Sequence, residues 1–385
     1  MGTNSKLHEM NEQERQEFIE SKLNISINNI KKSILNENDV KANIENLIGS
    51  VQVPLGIAGP VKINGEHAKN SFYLPLATSE GALVASVARG CKVINESNGA
   101  NVVIIKNEQS RSILFKTNSI KITKELGIWV KKNFDKLKKI GELDEPFIEI
   151  KNIEIYEVGL NVWLRIKAYT NDAMGMNMIT ISGKKIADYI IQNYNDIEFI
   201  SETGNMCSDK KPSAINLINS RGKKVIASVN VTNDTIKKIL KTTSEQLIDM
   251  NYRKNLLGSA ASGSMGFNAH FANIIAAMFI ATGQDVAHTV DGSLGFTTVE
   301  KAKEGVNFSV TLTSLQVGTV GGGTGLPTQK EALAIMGVAG PGNPAGSNSK
   351  KLAEIVASAV LAGEISLLGA LCSKELANAH IKHNR

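Results

Sequence analysis

The sequence has few cysteines, few aromatic residues and no continuous apolar run long enough to cross a membrane. Its cysteines, Cys91, Cys207 and Cys372, form no CxxC pair. We therefore expect neither a disulfide framework nor a zinc site or any other metal, and a reducing, cytoplasmic setting. No run of about eighteen consecutive apolar residues occurs, so no membrane span is expected. The polar N-terminal stretch also lacks the apolar core of a signal peptide.

Two common nucleotide-binding signatures are also missing. The chain contains neither the GxGxxG of a dinucleotide-binding fold nor the GxxxxGK[ST] of a phosphate-binding loop. A nicotinamide cofactor would therefore need a non-Rossmann site. The net charge of +6 raises the question of nucleic acid, but only 5% of residues are aromatic and no arginine-rich patch appears. An anionic small substrate accounts for the excess lysine equally well.

Hydrophobic periodicity predicts an α+β protein. Residues 9–45 are expected to be helical, with an amphipathic stripe of Phe18, Ile19, Leu23, Ile27 and Ile30. The segment from Thr78 to Ile94 carries small residues on one side, which is typical of a closely packed central helix. Between residues 101 and 202 we predict strands in NVVIIK, SILFK, PFIEIKNIEIYEV and NVWLRIKAYT. We predict one helix in ITKELGIWVKKNFDKLKKI, with Leu126, Val130, Phe134 and Leu137 on one face. This order favours a ferredoxin-like insert. The last long helix is predicted from Lys350 to about Ala379.

These patterns predict four regions. We expect a small N-terminal helical region (1–48), a large α/β substrate-binding domain with a central helix (49–111 and 212–385), an inserted ferredoxin-like cofactor domain (112–202), and a loop with a candidate functional lysine (203–211).

Several segments have two readings when each is taken alone. In GNMCSDKKPSA the two lysines are either a solvated charge run or placed for a task. The run GTVGGGTG either lets backbone N–H groups approach an anion or forms a tight turn between a strand and a helix. Glu80 and Asp285 could be helix caps or functional acids. His380 and His383 could lie on one helix face or in a frayed tail.

Taken together, seven segments decide between these readings. They are ENLIGSVQVPLGIAGP, ATSEGALVAS, DAMGMNM, GNMCSDKKPSAIN, GSMGFNAHFANIIAAMFIATGQD, VGTVGGGTGLPTQ and HIKHNR. In order and spacing they resemble 3-hydroxy-3-methylglutaryl-CoA reductase from about Glu45 to Arg385, in the form found in eukaryotes and archaea. The resemblance implies reduction of 3-hydroxy-3-methylglutaryl-CoA (HMG-CoA) to mevalonate and CoA with two NADPH, no metal, and a homodimer or tetramer with sites at subunit boundaries.

The resemblance also implies roles for residues at matching positions. Lys210 would stabilise the oxyanion, and Glu80 would supply a proton during reduction of the aldehyde. Asp285 would tune both groups, and His380 rather than His383 would protonate the departing thiolate. The substrate-acid set would be Arg111, Thr203, Asp209, Lys211, Lys254 and Asn273. The CoA set would be Ser86, Arg89, Lys92, Lys241 and His270. The NADP set would be Asp172, Met174, Gly175, Met176, Asn177, Gly321, Gly322 and Gly323, with Lys138 and Lys139 near the 2′-phosphate.

Departures from the family pattern fall near CoA. Ser50 replaces a tyrosine, Ala88 an asparagine and Ala379 a serine, so the CoA contacts are expected to differ. A reductase of another acyl-CoA should lack Arg111 or Lys211, and both are present. A non-catalytic relative should lack one of the four assigned catalytic residues, and all are present. A nucleic-acid binder would show salt-sensitive retention on DNA.

Overall fold

A large mixed β-sheet forms the body of the protein. The computed structural model describes residues 7–373. The sheet has the strand order β2-β1-β3-β7-β10-β9-β8, in which only the β1–β3 and β8–β9 pairs are parallel. The strands are β1 Leu55–Asn64, β2 Lys69–Ala77, β3 Ala100–Thr117, β4 Glu149–Val158, β5 Asn161–Tyr169, β6 Ile197–Ser201, β7 Gly222–Val231, β8 Gly266–Phe267, β9 Gly295–Lys301 and β10 Val306–Leu315.

Helices cover and connect this sheet. They are α1 Glu12–Leu23, α2 Glu37–Val40, α3 Leu83–Glu96, α4 Ile120–Lys132, α5 Phe134–Gly141, α6 Met176–Asn193, α7 Ala214–Asn219, α8 Asn233–Thr235, α9 Ser244–Met250, α10 Ser259–Ala261, α11 Phe271–Thr282, α12 Thr289–Gly292, α13 Pro327–Ile335 and α14 Ser347–Cys372. Two π-helical stretches, Ile236–Leu240 and Asn251–Gly258, follow α8 and α9. Short 3₁₀ turns lie at Leu7–Glu9, Val286–His288 and Gly322–Gly325.

The long strand β3 belongs to two sheets. Its first half pairs with β1 and β7, and its second half pairs with β5 and β6 in a smaller sheet of order β6-β3-β5-β4. The segments NVVIIK and SILFK, predicted as separate strands, are therefore one continuous strand. Apolar side chains from the smaller sheet and from α4, α5 and α6 form a second hydrophobic core, separate from the main one.

The central helix of the large core is α14. Almost all of its residues from Leu352 to Ala370 are buried, because β7, β10, α3 and α11 surround it. By length and composition this helix could cross a membrane, but 83% of its most apolar window is buried inside the protein. Scattered polar residues interrupt the apolar residues of this helix. The search for a continuous apolar run in the sequence therefore did not detect it. Burial on all sides is what a core helix requires.

The helix predicted over Thr78 to Ile94 begins later and is not the central one. It is α3, which starts at Leu83 and buries one face. The expected close packing is present, because a Cβ atom on Gly90 would lie 1.9 Å from the Ala362 carbonyl oxygen of α14. The two helix backbones therefore touch where Gly90 leaves room.

Other boundaries also differ from the predicted ones. The helix expected over 9–45 is only α1 and α2, separated by irregular chain, and Leu23 is 62% exposed instead of docked. Asn24 ends α1 in the left-handed conformation, which explains the early stop. The single helix expected from ITKELGIWVKKNFDKLKKI is interrupted at Asn133 into α4 and α5. Leu126, Val130 and Leu137 are nevertheless buried as the periodicity indicates.

Candidate active site

Four of the motif segments line one cavity between the two cores. Its volume is about 810 Å³. The lining includes Met174–Asn177 from DAMGMN, Asp209 and Lys210 from DKK, Gly283–Asp285 from ATGQD, and Gly321–Gly323 from GTVGGGTG. Residues separated by roughly a hundred positions in the sequence thus meet around one cavity. This cavity is the candidate active site.

The glycine-rich segment connects β10 to α13 and faces open space. Gly321 and Gly322 have φ values of 78° and 55°, a region that L side chains rarely adopt. A Cβ atom at either position would meet no atom within 4 Å. The backbone is therefore bare toward the cavity, as the close approach of an anionic ligand requires.

Three motif loops are joined by backbone contacts below this glycine segment. Ala173 of DAMGMN forms a parallel bridge with Val320. The Gly318 N–H donates to Gln284 Oε1 over 2.9 Å. A Cβ on Gly323 would lie only 2.7 Å from the Gly283 carbonyl oxygen, so these loops approach each other as closely as glycine permits. This packing fixes the glycine loop against the end of α11.

The structure brings Lys210 and Asp285 together, two of the residues predicted to be catalytic. Lys210 Nζ lies 2.7 Å from Asp285 Oδ2, and both side chains are partly exposed to the cavity. Lys210 has φ 55° in the loop between β6 and α7, and its N–H donates to Asp291 Oδ2 over 3.4 Å. Gly283, and not Asp285, caps the C-terminal end of α11. Asp285 is the N-cap of the Val286–His288 turn, and its carboxylate accepts the Ala287 N–H.

Electrostatics favour the ionised form of Asp285. Burial alone would raise the pKa of this carboxyl, but hydrogen bonding from Lys210 and the positive charges of His288 and Lys210 more than offset it. The pKa therefore lies below its ordinary value. The ionised carboxylate thus gives the Lys210 ammonium a fixed partner at the cavity.

Arg111 and Asp209 extend the charged wall. Arg111 lies on β3, is mostly buried and places Nη1 3.3 Å from Asp209 Oδ2. Burial opposes ionisation of Asp209, but Arg221, His288, Arg111 and Lys210 together lower its pKa. Lys211 is exposed and donates from Nζ to the Asp209 carbonyl oxygen over 3.1 Å. A carboxylate ligand would thus meet at least two cationic side chains here.

A buried polar layer behind this wall was missed by sequence reasoning. Arg221 Nη1 lies 2.9 Å from Asp291 Oδ2, and neither side chain is exposed. Gln316 donates to the same oxygen over 2.8 Å, and Gln109 donates to Gln316 Oε1 over 2.8 Å. His288 contacts Asp291 through Nδ1 at 3.3 Å. The available signal was weak: a histidine and an aspartate three residues apart in AHTVDG, and an arginine just before the segment that forms β7.

This layer is arranged for charge balance without a metal ion. Asp209, His288 and Asp291 offer ligand atoms within 4.8 Å of one another, a spacing that a metal could use. The Arg221 guanidinium, however, lies 3.0 Å from Asp209 and 2.9 Å from Asp291. The guanidinium already supplies the positive charge that the carboxylates need. These side chains therefore fit arginine better than a metal ion.

Asp172, predicted to touch the cofactor, faces away from the cavity. It is 3% exposed and accepts N–H groups from Gly342, Gly346 and Ser349 at 2.7–2.9 Å. Its carboxylate therefore holds the loop before α14 and the first turn of that helix. Its neighbours Met174 to Asn177 do line the cavity, so Asp172 fixes the loop that carries them.

The sequence predicted that Glu80 lies in the first turn of a helix. It lies instead in the turn before α3. It is exposed, and Asn273 Nδ2 donates to its Oε1 over 3.2 Å. Asn273 also lies 3.5 Å from His270 Nδ1. The buried Glu364 of α14 accepts the N–H of His270 over 2.7 Å and so orders this corner. Among residues 7–373, Glu80 is not part of the lining around Lys210.

The predicted CoA residues occupy another face. Ser86 and Arg89 of α3 both contact Ser366 of α14, at 2.9 Å and 3.0 Å. The exposed residues of the predicted substrate and CoA sets are Lys92, Thr203, Lys211 and Lys241, while Lys254 is half-buried in the second π-helical stretch. In the described part of the chain, this group does not line the cavity around Lys210.

The predicted phosphate lysines are remote from the glycine loop. Lys138 of α5 pairs with Glu142 at 3.7 Å and Glu149 at 3.8 Å, and Lys139 is exposed. Neither residue is in the cavity lining given for residues 7–373. His380, His383 and Ala379 lie outside the described residues.

The sequence and the fold are similar to those of known proteins. Residues 11–385 match the family model described as hydroxymethylglutaryl-coenzyme A reductase. The chain is 51% identical to 3-hydroxy-3-methylglutaryl-coenzyme A reductase of Aeropyrum pernix, covering 95% of this chain and 87% of that protein. It is 48% identical to the Pyrococcus abyssi protein of the same name, covering 95% and 90%. The fold is similar to that of the class II enzyme of Streptococcus pneumoniae bound to NADPH, with TM-score 0.67, 18% identity and coverage of 96% and 100%.

Proposed function

Because this chain belongs to the hydroxymethylglutaryl-coenzyme A reductase family, we propose that it catalyses the NADPH-dependent four-electron reduction of HMG-CoA to mevalonate and CoA, the committed step of the mevalonate pathway. The observation that carries the proposal is the Lys210–Asp285 pair, which points into the same cavity as the bare glycine loop. A hydride acceptor and an anionic cofactor could meet there.

The residues of this chain stabilise developing negative charge. NADPH supplies the hydride, and two equivalents with two protons convert the thioester to the alcohol and free CoA thiol. Each reduction step places negative charge on the carbonyl oxygen, which the Lys210 ammonium stabilises. Asp285 keeps this ammonium oriented. When the C–S bond breaks, the thiolate takes a proton, the role proposed for His380, and Glu80 is proposed to protonate the final alkoxide.

Substrate placement follows from charge. We assign the free carboxylate of the substrate to Arg111 and Lys211, with Thr203, Lys254 and Asn273 around it. Asp209 holds Arg111 in place through its ion pair. We assign CoA to the face formed by Ser86, Arg89, Lys92, Lys241 and His270. Glu80 and Asn273 lie at the junction of the two faces, where the thioester would be expected.

The cofactor is assigned to the glycine loop and to Met174–Asn177. Positive φ and open space at Gly321 and Gly322 fit a ligand that needs close approach to backbone N–H groups. The unit with strand order β6-β3-β5-β4 supports the ferredoxin-like, non-Rossmann cofactor domain, with residues 112–202 as its extent. The remaining domain boundaries stay predictions: 1–48, 49–111 with 212–385, and the 203–211 loop. Lys138 and Lys139 stay a prediction for the 2′-phosphate.

Assembly and setting are proposed as a homodimer or a dimer of dimers in the cytoplasm. Five apolar side chains of the segment 44–57 are exposed, namely Ile44, Val51, Val53, Leu55 and Ile57, with Val51 at 85% and Ile57 at 56%. A run of exposed apolar residues is typical of an interface. The free cysteines fit a reducing compartment. Light scattering that shows a monomer at working concentration would contradict this assembly.

The decisive assay follows NADPH oxidation with HMG-CoA. We expect two NADPH consumed per CoA thiol released, with mevalonate as the product, and a lower rate with NADH. Acetyl-CoA at the same concentration is the control for the substrate acid, because it lacks the carboxylate that Arg111 would bind. No NADPH loss with HMG-CoA, or an equal rate with acetyl-CoA, would contradict the proposed function.

A further inference from the structure

The buried imidazole of His288 stands between three carboxylates. It is fully buried in the short turn Val286–His288, one turn after Asp285. Its Nδ1 lies 3.3 Å from Asp291 Oδ2, while its Nε2 lies 3.8 Å from both Asp209 Oδ1 and Asp285 Oδ2. The ring therefore connects the buried layer to the acid that holds Lys210.

The Nε2 atom has no hydrogen-bond partner among the described residues. A buried polar atom without a partner destabilises the fold, so this nitrogen is a candidate donor to a nearby acceptor. It belongs to a residue that lines the cavity. A small movement when substrate enters would bring it within bonding range of Asp285, because active-site hydrogen bonds are often long in the free enzyme.

Only the imidazolium form carries an N–H on each ring nitrogen, and this form can donate to both sides at once. The charged groups near the ring are Asp209 and Asp285 beside Nε2, Asp291 beside Nδ1, and Arg111, Lys210 and Arg221, which are paired with those carboxylates.

We propose that His288 is a positioning residue for the reduction: anchored on Asp291, it donates from Nε2 toward Asp285 and Asp209 and thereby fixes the acceptor of Lys210. This inference rests on the proposed function. Among the described residues, Asp285 has only the Ala287 N–H and Lys210 as hydrogen-bond donors. Without the imidazole, its carboxylate would be free to turn away from the position that directs Lys210 toward the substrate oxygen.

Two substitutions separate the two ring nitrogens. In His288→Asn the short amide can replace Nδ1 but cannot reach the Nε2 position, whereas in His288→Gln the longer amide can. We expect His288→Asn to lower kcat at least about tenfold, because a misplacement of ~1 Å near reacting atoms can cost on the order of 100-fold. KM for HMG-CoA and NADPH should change little. His288→Gln should keep most of kcat at neutral pH.

The neutral amide of His288→Gln provides a second readout, which is needed if His288→Asn does not fold. Removing the positive ring removes one of the charges that lower the pKa of Asp285. The acid limb of kcat against pH should then move to higher pH. A merely structural histidine would leave this limb in place. An unmoved limb would overturn the proposal.

A double-mutant cycle tests whether the effect acts through Asp285. His288→Asn added to Asp285→Asn should lower kcat little beyond Asp285→Asn alone, since the group being positioned is already changed. His67→Gln is the matched histidine control and should leave kcat unchanged, because His67 lies in the loop between β1 and β2, bound through its N–H to Glu354, and does not line the cavity. Additive losses in the cycle, or unchanged kcat in His288→Asn with wild-type turnover intact, would overturn the inference. Absence of wild-type turnover would instead contradict the proposed function.

Discussion

Two ion pairs a few ångströms apart show how differently charge is used at the front and the back of this site. The Lys210–Asp285 pair, at 2.7 Å, leaves 42% and 37% of its side chains exposed. The Arg221–Asp291 pair, at 2.9 Å, leaves none exposed. The first pair can exchange its partner for a substrate oxygen, while the second cannot meet a ligand at all.

Solvent access determines what each pair contributes. Exposed pairs add about 0–1 kcal/mol to stability, because water competes for both charges. A buried pair repays its desolvation only while both partners are present, so removing one costs about 3–5 kcal/mol. The front pair is therefore suited to chemistry and the rear pair to holding the loop on which that chemistry depends.

The sharpest way to break this comparison is Arg221→Met, which leaves Asp291 buried and unpaired. We expect the free energy of unfolding to fall by about 3–5 kcal/mol, measured by urea denaturation. Lys210→Met is the matched control and should change it by less than about 1 kcal/mol. Equal losses in the two variants would show that burial does not distinguish the pairs.

A smaller effect is expected from the glycine loop. Gly323→Ala would bring a Cβ atom to 2.7 Å from the Gly283 carbonyl oxygen. Overpacking of this kind costs about 1–3 kcal/mol, so the loops should separate and KM for NADPH should rise. Gly325→Ala is the control in the same loop, because its Cβ would meet nothing within 4 Å. A rise in KM for Gly325→Ala but not for Gly323→Ala would contradict the assignment of the loop.

The smallest effect concerns acid stability. The pKa of Asp209 is lowered in the folded protein, so its ionised form stabilises the fold above its ordinary pKa, and this stabilisation is lost as the pH falls through the folded value. Asp209→Asn should therefore be less stable than wild type at about pH 7, and the difference should shrink at about pH 3.5. Urea midpoints at the two pH values measure it.

A surface carboxylate provides the control for this pH effect. Asp188, paired with Lys184 on α6, is exposed, and Asp188→Asn should shift the urea midpoint little at either pH. If the deficit of Asp209→Asn did not change with pH, its carboxylate would not be the group that titrates.

Motif order predicted the front of the site, and hydrophobic periodicity predicted much of the fold. DAMGMN, DKK, ATGQD and the glycine run were expected to act together, and they line one cavity. The buried faces of α4 and α5 followed from spacing alone. Such features are visible in sequence because local pattern sets them.

What sequence reasoning missed depends on distant contacts. His288 and Asp291 are three residues apart, but their partner Arg221 is about seventy residues away, and no local pattern joins them. The double membership of β3 and the burial of α14 are likewise set by tertiary packing. Asp172 belongs to the DAMGMN motif, but its carboxylate accepts a backbone N–H from a distant loop. The residues next to it in the sequence could not indicate that contact.

The central claim is that the Lys210 ammonium stabilises the oxyanion formed by hydride addition to HMG-CoA. The most direct measurement is kcat of Lys210→Met under saturating NADPH and HMG-CoA, with its unfolding curve as proof of folding. The account predicts a loss of about 100- to 1000-fold, the usual cost of removing a preorganised donor, with a stable fold. A folded Lys210→Met enzyme that turns over at the wild-type rate would contradict it.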